Sequence, residues 1–324
     1  MTQHQSGSGH GDRALERARR ALARAGLDSN APLVRASSNA NEAWLGAEFV
    51  LRVNARGDIG RLSREARIAS RLPAEAAHPG VLAFGDDGEI EWSLVRRVAG
   101  VDLSRVWPKL DSAQRERAAR DLARGLRAVH RVSDTDLPTD ADMAPPHTLP
   151  LAPLLELLQR TREKGVDPQL LDEVEAFVRA RWSAFDASNF GLVHGDPHLE
   201  NMLCHEGKFS ALIDFEWSRR SWIEVDLEIL LSFCNHPFFF VSADYEDRAR
   251  SEDYAAVPGW FRDEYPEWFA HPRCRDRLAV LHVSRTLGLL GDSPPLGPRD
   301  PGNPRDRRNH LSSILDGSSY LFTD

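Results

Sequence analysis

The sequence changes its hydrophobic period once, near residue 100, and that change constrains the fold more than any other feature. Between residues 32 and 99, short runs rich in bulky and β-branched residues recur with Ser, Asn, Asp or Gly between them: PLVRAS, EAWLG, EFVLRV and VLAFGDDGEIEWSLVRRV. The first three predict a meander, and the last a hairpin turning at Asp86-Asp87-Gly88. A helical pattern over 60–72, closed by Pro73, interrupts them. After Gly100 the pattern is helical. Residues 111–131 carry a 3.6 period through Ala118, Leu122, Leu126 and Val129. Further helical patterns cover about 151–163, 168–187, 224–234, 243–254, 273–290 and 307–316, and only 190–215 return to short strands. The expectation is a bilobal α+β chain. A five-stranded antiparallel sheet with one helix occupies 28–99, and a mostly helical lobe occupies 100–324. Ahead of them, 1–11 read as a disordered tail and 12–27 as a helix with five arginines on its wet face. The Pro-rich stretches 133–150 and 291–306 read as connections.

Composition narrows the partners. The chain has 324 residues, of which 41% are hydrophobic, enough for two cores. Its 41 basic and 49 acidic side chains give a net charge of -8, which argues against duplex nucleic acid as a partner. Cys204, Cys234 and Cys274 form no C-x-x-C, so neither a disulfide framework nor a zinc site is indicated, and a reducing cytoplasm fits. No run approaches ~20 apolar residues and the N-terminus lacks an apolar signal core, so no membrane span is expected. The acidity is local. Residues 211–270 hold thirteen Asp and Glu against five Arg. Such a patch suits a cationic partner or else is a solvated helical face.

The chemistry concentrates in Val193-His194-Gly195-Asp196-Pro197-His198-Leu199-Glu200-Asn201, followed thirteen residues later by Asp214 in Ile213-Asp214-Phe215-Glu216. Both segments follow apolar runs, so Asp196, Asn201 and Asp214 are expected on loops at strand ends, where polar side chains converge. Phosphoryl transfer needs such a set. One carboxylate accepts the proton of the attacking hydroxyl, while a carboxylate and an amide oxygen suit Mg²⁺, a hard cation. The spacing His-x-Asp-x-His could instead mark a metal cluster, but the companion motifs of metallophosphoesterases are not found.

H-G-D-x-x-x-x-N followed by I-D-F resembles the aminoglycoside phosphotransferase family, the small-molecule branch of the protein-kinase-like fold. The resemblance implies a nucleotide, ATP or GTP, held between two lobes with Mg²⁺. It implies Asp196 as catalytic base and Asn201 and Asp214 as metal ligands. Arg52, on the third strand, stands where the kinase fold places its phosphate-contacting Lys, and Glu65, in the next helix, matches that residue's acidic partner. Ser37-Ser38-Asn39 replaces the Gly-rich loop over the phosphates. SLVRRVAGVDL resembles the interlobe hinge, which would set backbone groups of Arg96–Val98 at a purine edge and Leu94 near the base. His194 would brace the catalytic loop and Asp226 would buttress it from a helix start. The Gly-x-Pro that relatives carry before Asp226 is replaced here by Ser221-Trp222-Ile223-Glu224.

For the acceptor, His198, Glu216, Trp217 and Glu224 are candidates beside the loop. Asp244, Glu246, Asp247, Asp263, Glu264 and Glu267 are candidates farther along, where relatives build the acceptor cleft. Together they point to a small cationic acceptor, an aminoglycoside or a basic peptide of the capreomycin or viomycin type, with resistance as the outcome. A metabolic kinase for choline, homoserine, a sugar or a macrolide would share the catalytic residues, and a binding-only pseudokinase is the reading of another class. A monomer or homodimer is equally compatible.

Overall fold

A computed structural model describes residues 8–36, 41–54, 60–143, 147, 149–186, 188–293 and 296–322. Its first part runs α1 (Ser8–Arg24), β1 (Val34–Ala36), β2 (Glu42–Leu45), β3 (Phe49–Asn54), α2 (Arg61–Ala69), β4 (Val81–Asp86) and β5 (Glu91–Arg96). The strands form one sheet in the order β1-β2-β3-β5-β4, antiparallel throughout, as the meander and hairpin readings require. Leu51 of β3 faces Leu94 of β5, and Arg52 faces Ser93. Because strand side chains alternate between faces, the sheet has two characters. Trp44, Leu51, Val53, Trp92 and Leu94 pack against Ala14, Ala18, Ala21 and Leu22 of α1. Arg52, Ser93 and Val95 point the other way, toward α2.

Helix α1 therefore caps the outer face of the sheet, and it starts at Ser8, inside the stretch expected to be disordered. Its arginines are not all solvated. Arg17 pairs with Glu42 of β2, and Arg20 pairs with Asp87 at 2.7 Å and with Glu89. The helix needs a wide apolar stripe to bury, and its alanines let it lie close to the sheet.

The second part runs β6 (Val101–Asp102), α3 (Leu103–Val106), α4 (Ser112–His130), α5 (Leu151–Arg162), α6 (Pro168–Arg181), β7 (Phe190–Val193), β8 (Met202–His205), β9 (Lys208–Leu212), β10 (Arg219–Trp222), α7 (Glu224–Asn235), α8 (Val257–Glu264), α9 (Cys274–Gly291) and α10 (Arg308–Asp316). Asp111 caps α4 by accepting from the backbone N–H of Gln114 at 2.8 Å, while the Gln114 amide oxygen accepts from the N–H of Asp111 at 3.0 Å. This reciprocal box starts the helix where the period begins. Leu122, Leu126 and Val129 of α4 are fully buried in a core shared with α7 and α9, each contributing roughly 1.5–3 kcal/mol. Helix α9 is the central post, packed by α5, α6, α7 and α10. No helix among the described residues is long and apolar enough to cross a membrane.

One helical expectation fails. Residues 243–254 form two 3-10 turns, Glu246–Arg248 and Ser251–Tyr254. Tyr254 is buried against Trp107, whose indole N–H donates to the Asp253 carbonyl at 2.7 Å, so that carbonyl is spent outside any helical ladder. The helix comes later, as α8, with Pro258 in its first turn, where a missing N–H costs nothing. Likewise the 168–187 pattern breaks after Arg181 into a 3-10 turn.

Candidate active site

Two small sheets deliver the catalytic segment. Strand β7 pairs with β10, and β8 lies between β6 and β9. Asp196 follows β7, Asn201 closes the 3-10 turn into β8, and Asp214 follows β9. All three emerge at one place because the Asn201 carbonyl accepts from the Ile213 N–H at 3.0 Å, tying the two loops together. Asn201 Nδ2 donates to the Asp196 carbonyl at 2.9 Å and to its Oδ2 at 3.2 Å. His198 Nε2 lies 3.1 Å from the same Oδ2. Burial opposes the charge of Asp196, but His198, then Arg285 and His194, hold its carboxyl below the ordinary range. It is therefore an ionised acceptor at neutral pH.

The loop is held from beneath. Fully buried Asp226, at the start of α7, accepts from the backbone N–H groups of His194 and Gly195, each at 2.8 Å, and lies 2.9 Å from His130 Nε2. Burial opposes this charge too, and His130 and His194 with the Gly195 N–H hold the carboxyl low. His194 Nδ1 accepts from the Asp196 N–H at 3.2 Å, so the ring proton sits on Nε2 and goes to the Ile213 carbonyl at 3.0 Å. Burial pushes the His194 pKa down, which keeps that neutral tautomer. Gly195 has φ 88°, and a Cβ there would sit 2.3 Å from the Trp217 carbonyl oxygen. Asp214 is itself left-handed, at φ 66°. A non-glycine residue in that region marks local strain at the site.

Arg52 arches over from the sheet. Its Nη1 is 2.5 Å from Glu65 Oε1 on α2, and its Nη2 is 3.1 Å from Asp214 Oδ1. Burial works against this guanidinium, yet Glu65, Asp214 and Glu216 keep it protonated. Arg52 and Glu65 thus pair as expected and reach the Asp214 loop. With Oδ1 taken by Arg52, Asp214 keeps Oδ2, and with Nδ2 donating, Asn201 keeps its amide Oδ1. One carboxylate oxygen and one amide oxygen are the donors a hard cation with phosphate co-ligands takes. Among the described residues no cluster of three or more His, Cys, Asp or Glu would hold a metal unaided.

Other expectations are corrected. Leu94 lies in the core under α1, on the sheet face opposite Arg52, so it cannot meet a base beside Arg52. Ser93 and Val95 occupy the inner face instead, around a small void with Glu65 and His78. The Arg96 N–H is spent on the Gly80 carbonyl and that of Arg97 on Glu48, so among the described residues the hinge leaves the Arg97 carbonyl and the backbone groups of Val98 without a backbone partner. Ser37, Ser38 and Asn39 fall outside the described residues.

The acidic acceptor residues are mostly committed elsewhere. Glu216 turns toward the sheet, with Oε2 at 3.3 Å from Arg61 and 3.9 Å from Arg52, and burial beside Asp214 pushes its carboxyl up to about 7. Glu224 is fully buried against Arg277 at 2.9 Å. Asp263 and Glu264 of α8 meet Arg120 at 3.2 Å and Arg124 at 2.9 Å, and Glu267 meets Arg127, all arginines on one face of α4. Asp244 lies 3.4 Å from Arg105 and Glu246 2.7 Å from Arg305. Asp247 lines a separate cavity among Arg105, Lys109, Arg248 and Arg250. The excess acid of 211–270 is therefore answered by arginines from outside the segment and forms no open acidic wall.

Of the acceptor candidates, His198 and Trp217 do line the cavity at Asp196, about 230 Å³, together with Phe239, Phe240, His147 and Arg285. Arg285 escaped the sequence reading because nothing in an apolar helix such as α9 marks which side faces a distant loop, and Phe240 because it sits on an apolar turn after α7 that carries no motif. Asp140 was missed too. It accepts from Arg219 Nε and Ser221 Oγ, both at 2.6 Å, and this buried network stands where relatives carry Gly-x-Pro.

Comparison with known proteins identifies the family and the fold. The description "Phosphotransferase enzyme family" belongs to a family whose model matches residues 16–260. No curated protein sequence matches. Among solved structures, the gentamicin–APH(2″)-IIa complex aligns over 100% of both chains at 17% identity and a TM-score of 0.59. A thermostable mutant of aminoglycoside phosphotransferase APH(4)-Ia, in a ternary complex with ADP and hygromycin B, aligns over 93% of this chain and 98% of its own, at 16% identity and 0.59. The amicoumacin kinase hAmiN, with AMP-PNP, Ca²⁺ and Ami, aligns over 88% of each chain at 14% identity and 0.58. At such identities the structures speak for the fold. The family match covers well over half the chain, which therefore belongs to the phosphotransferase enzyme family and is a phosphotransferase of kinase-like fold.

Proposed function

We propose that this enzyme transfers the γ-phosphoryl group of ATP or GTP to a hydroxyl of a small molecule, with Asp196 as the base. The observation that carries the reading is the meeting of an ionised Asp196, the free amide oxygen of Asn201 and the free Oδ2 of Asp214 beneath the Arg52–Glu65 pair. Relatives in the fold hold ADP or AMP-PNP, and one holds Ca²⁺, which supports a nucleotide and a divalent cation here.

Asn201 and Asp214 would hold Mg²⁺, which supplies charge neutralisation at the nucleotide phosphates. Arg52 offers a second, fixed positive charge for the same phosphates, oriented by Glu65. Asp196 orients the acceptor hydroxyl and takes its proton as the new O–P bond forms and the bond to the ADP or GDP leaving oxygen breaks. His198 and Asn201 keep the Asp196 carboxylate pointed and ionised, and His194 and Asp226 keep the loop rigid, so orientation is set before the acceptor arrives.

The relatives' gentamicin, hygromycin B and amicoumacin support an antibiotic-like acceptor, with resistance as the consequence. The expectation of a cationic acceptor, however, rested on Glu216, Glu224, Asp263 and Glu264, which are spent on arginines. The test is nucleoside diphosphate release with Mg²⁺ and a panel of hydroxyl acceptors, run on the native chain and on Asp196→Ala. Turnover lost by a factor of ~10²–10⁴ with nucleotide affinity retained supports the assignment. Undiminished turnover in Asp196→Ala would remove Asp196 as the base.

A further inference from the structure

The cavity over Asp196 is lined by an arginine that makes no direct ion pair among the described residues, although Asp196 and Glu228 feel its charge. Arg285, on the middle of α9, is half-buried and lines that cavity. Among the described residues its guanidinium has no carboxylate within 4 Å and no hydrogen-bond acceptor. It lies over Phe240, with its central carbon 4.7 Å from the ring centroid. Phe240 in turn contacts the His198 ring at 5.2 Å, so the same aromatic plate carries both the partner of Asp196 and the arginine.

A second arginine stands behind it. Arg307 sits 4.1 Å over Phe239, another wall of the cavity, and it too has no carboxylate partner among the described residues. Burial and then the neighbouring Arg285 pull its pKa down to about 10. Buried Glu228 has both oxygens committed, to His147 at 2.8 Å on one side and to His282 at 2.7 Å and Ser232 at 2.6 Å on the other, and Asp196 is held by His198 and Asn201. Eight of the thirteen acids of 211–270 have an arginine within 4 Å, whereas these two arginines beside the site have no carboxylate within 4 Å among the described residues and can offer their donors to an incoming negative charge. Arg presents donors in a planar fork that matches a carboxylate. Besides His147, Gly195, Asp196 and His198, the wall is apolar or aromatic: Trp217, Ile229, Phe239, Phe240 and Leu289. At about 230 Å³ the cavity is below the range of ~300–1,000 Å³ common for drug-sized ligands.

We propose that Arg285, backed by Arg307, is the acceptor-recognition residue, and that the acceptor is a small hydroxy acid: a hydroxyl for Asp196, a carboxylate for Arg285 and an apolar or aromatic body between them. This rests on the transferase reading above and selects its substrate class. The transfer step is unchanged, with the carboxylate as a handle that is neither formed nor broken.

The experiment pairs 3-phenyllactate, 3-hydroxybutyrate and glycerate with their amides, alongside gentamicin, hygromycin B and choline. It measures diphosphate release with MgATP or MgGTP, and thermal shift with and without AMP-PNP and Mg²⁺. The variants are Arg285→Met, Arg285→Lys and Arg307→Met. The expected result is that at least one acid binds and turns over while its amide is ~30-fold or more weaker, as for truncating one side of a desolvated charge pair. Arg285→Met erases that difference through the acceptor KM, Arg285→Lys restores part of it, and the thermal shift by AMP-PNP persists in all three. Preference for the cationic or amide compounds overturns the proposal, as does the absence of any thermal shift by the acids. A fall in kcat common to all acceptors in Arg285→Met also overturns it, since that marks a contact to the transferred phosphoryl group. A native chain that neither binds AMP-PNP nor releases diphosphate defeats the transferase reading separately, because the acid and amide titrations need no nucleotide.

Discussion

Asp226→Asn isolates the buttress of the catalytic loop. The native carboxylate is fully buried and takes three donors: the His194 and Gly195 N–H groups and His130 Nε2. An amide has one acceptor oxygen. Placed where Oδ2 lies, that oxygen keeps His194 and His130 and strands the Gly195 N–H. Placed where Oδ1 lies, it keeps Gly195 and strands the His194 N–H. In either orientation one buried backbone donor loses its acceptor, at about 1–3 kcal/mol, and the surviving bonds drop from charge-assisted to neutral, at roughly 1 kcal/mol each. The sum is ~3–5 kcal/mol of folding stability, read by urea unfolding. Its pH dependence is fixed in sign. The folded carboxyl titrates below its unfolded value, so its contribution is complete above the unfolded pKa of ~3.9 and is lost as pH falls through the folded one. The gap between native and variant should be full at pH 7 and should narrow below about pH 4. A loss under ~1 kcal/mol, or a gap that does not change down to pH 3, would refute the idea that these three bonds hold the loop.

Gly195→Ala is expected to cost ~1–3 kcal/mol and most of the activity, since a Cβ meets the Trp217 carbonyl oxygen at 2.3 Å from a left-handed backbone; wild-type turnover in that variant would contradict the close approach. Arg52→Met should destabilise the nucleotide-free chain by ~3–5 kcal/mol, because Glu65, Asp214 and Glu216 are left facing one another, and Mg²⁺ should recover part of that in thermal melts. Glu264→Gln, at the exposed seam of α4 and α8, should change stability by no more than ~1 kcal/mol, and the change should shrink in high salt.

Much of the architecture was legible because it is local. The short β-branched runs over 32–99, the period of 3.6 over 111–131 and the turn at Asp86-Asp87-Gly88 are each decided by residues a few positions apart. The convergence of Asp196, Asn201 and Asp214 was legible for the same reason. Asp196 and Asn201 share one loop, and Asp214 follows the next hairpin, so spacing along the chain already implies their meeting. Where local pattern and packing compete, the sequence misleads. The 243–254 run has helical spacing, but Trp107 claims the Asp253 carbonyl from 146 positions away, and the turn stays open.

Charge was the part that only the tertiary structure could decide. Thirteen acids crowded into 211–270 look like an acidic surface when counted along the chain, because a count carries no partners. Folding brings Arg52, Arg61, Arg105, Arg120, Arg124, Arg127, Arg277 and Arg305 to most of them. Among the described residues it leaves Arg285, which lines the cavity at Asp196, and Arg307, over Phe239, without an ion-pair partner. Coulomb energy falls off over a few ångströms in space and is indifferent to sequence separation. The sequence therefore determined that this chain is a phosphotransferase and which loop carries Asp196, Asn201 and Asp214, while the charges left around that loop were set by which helices pack together.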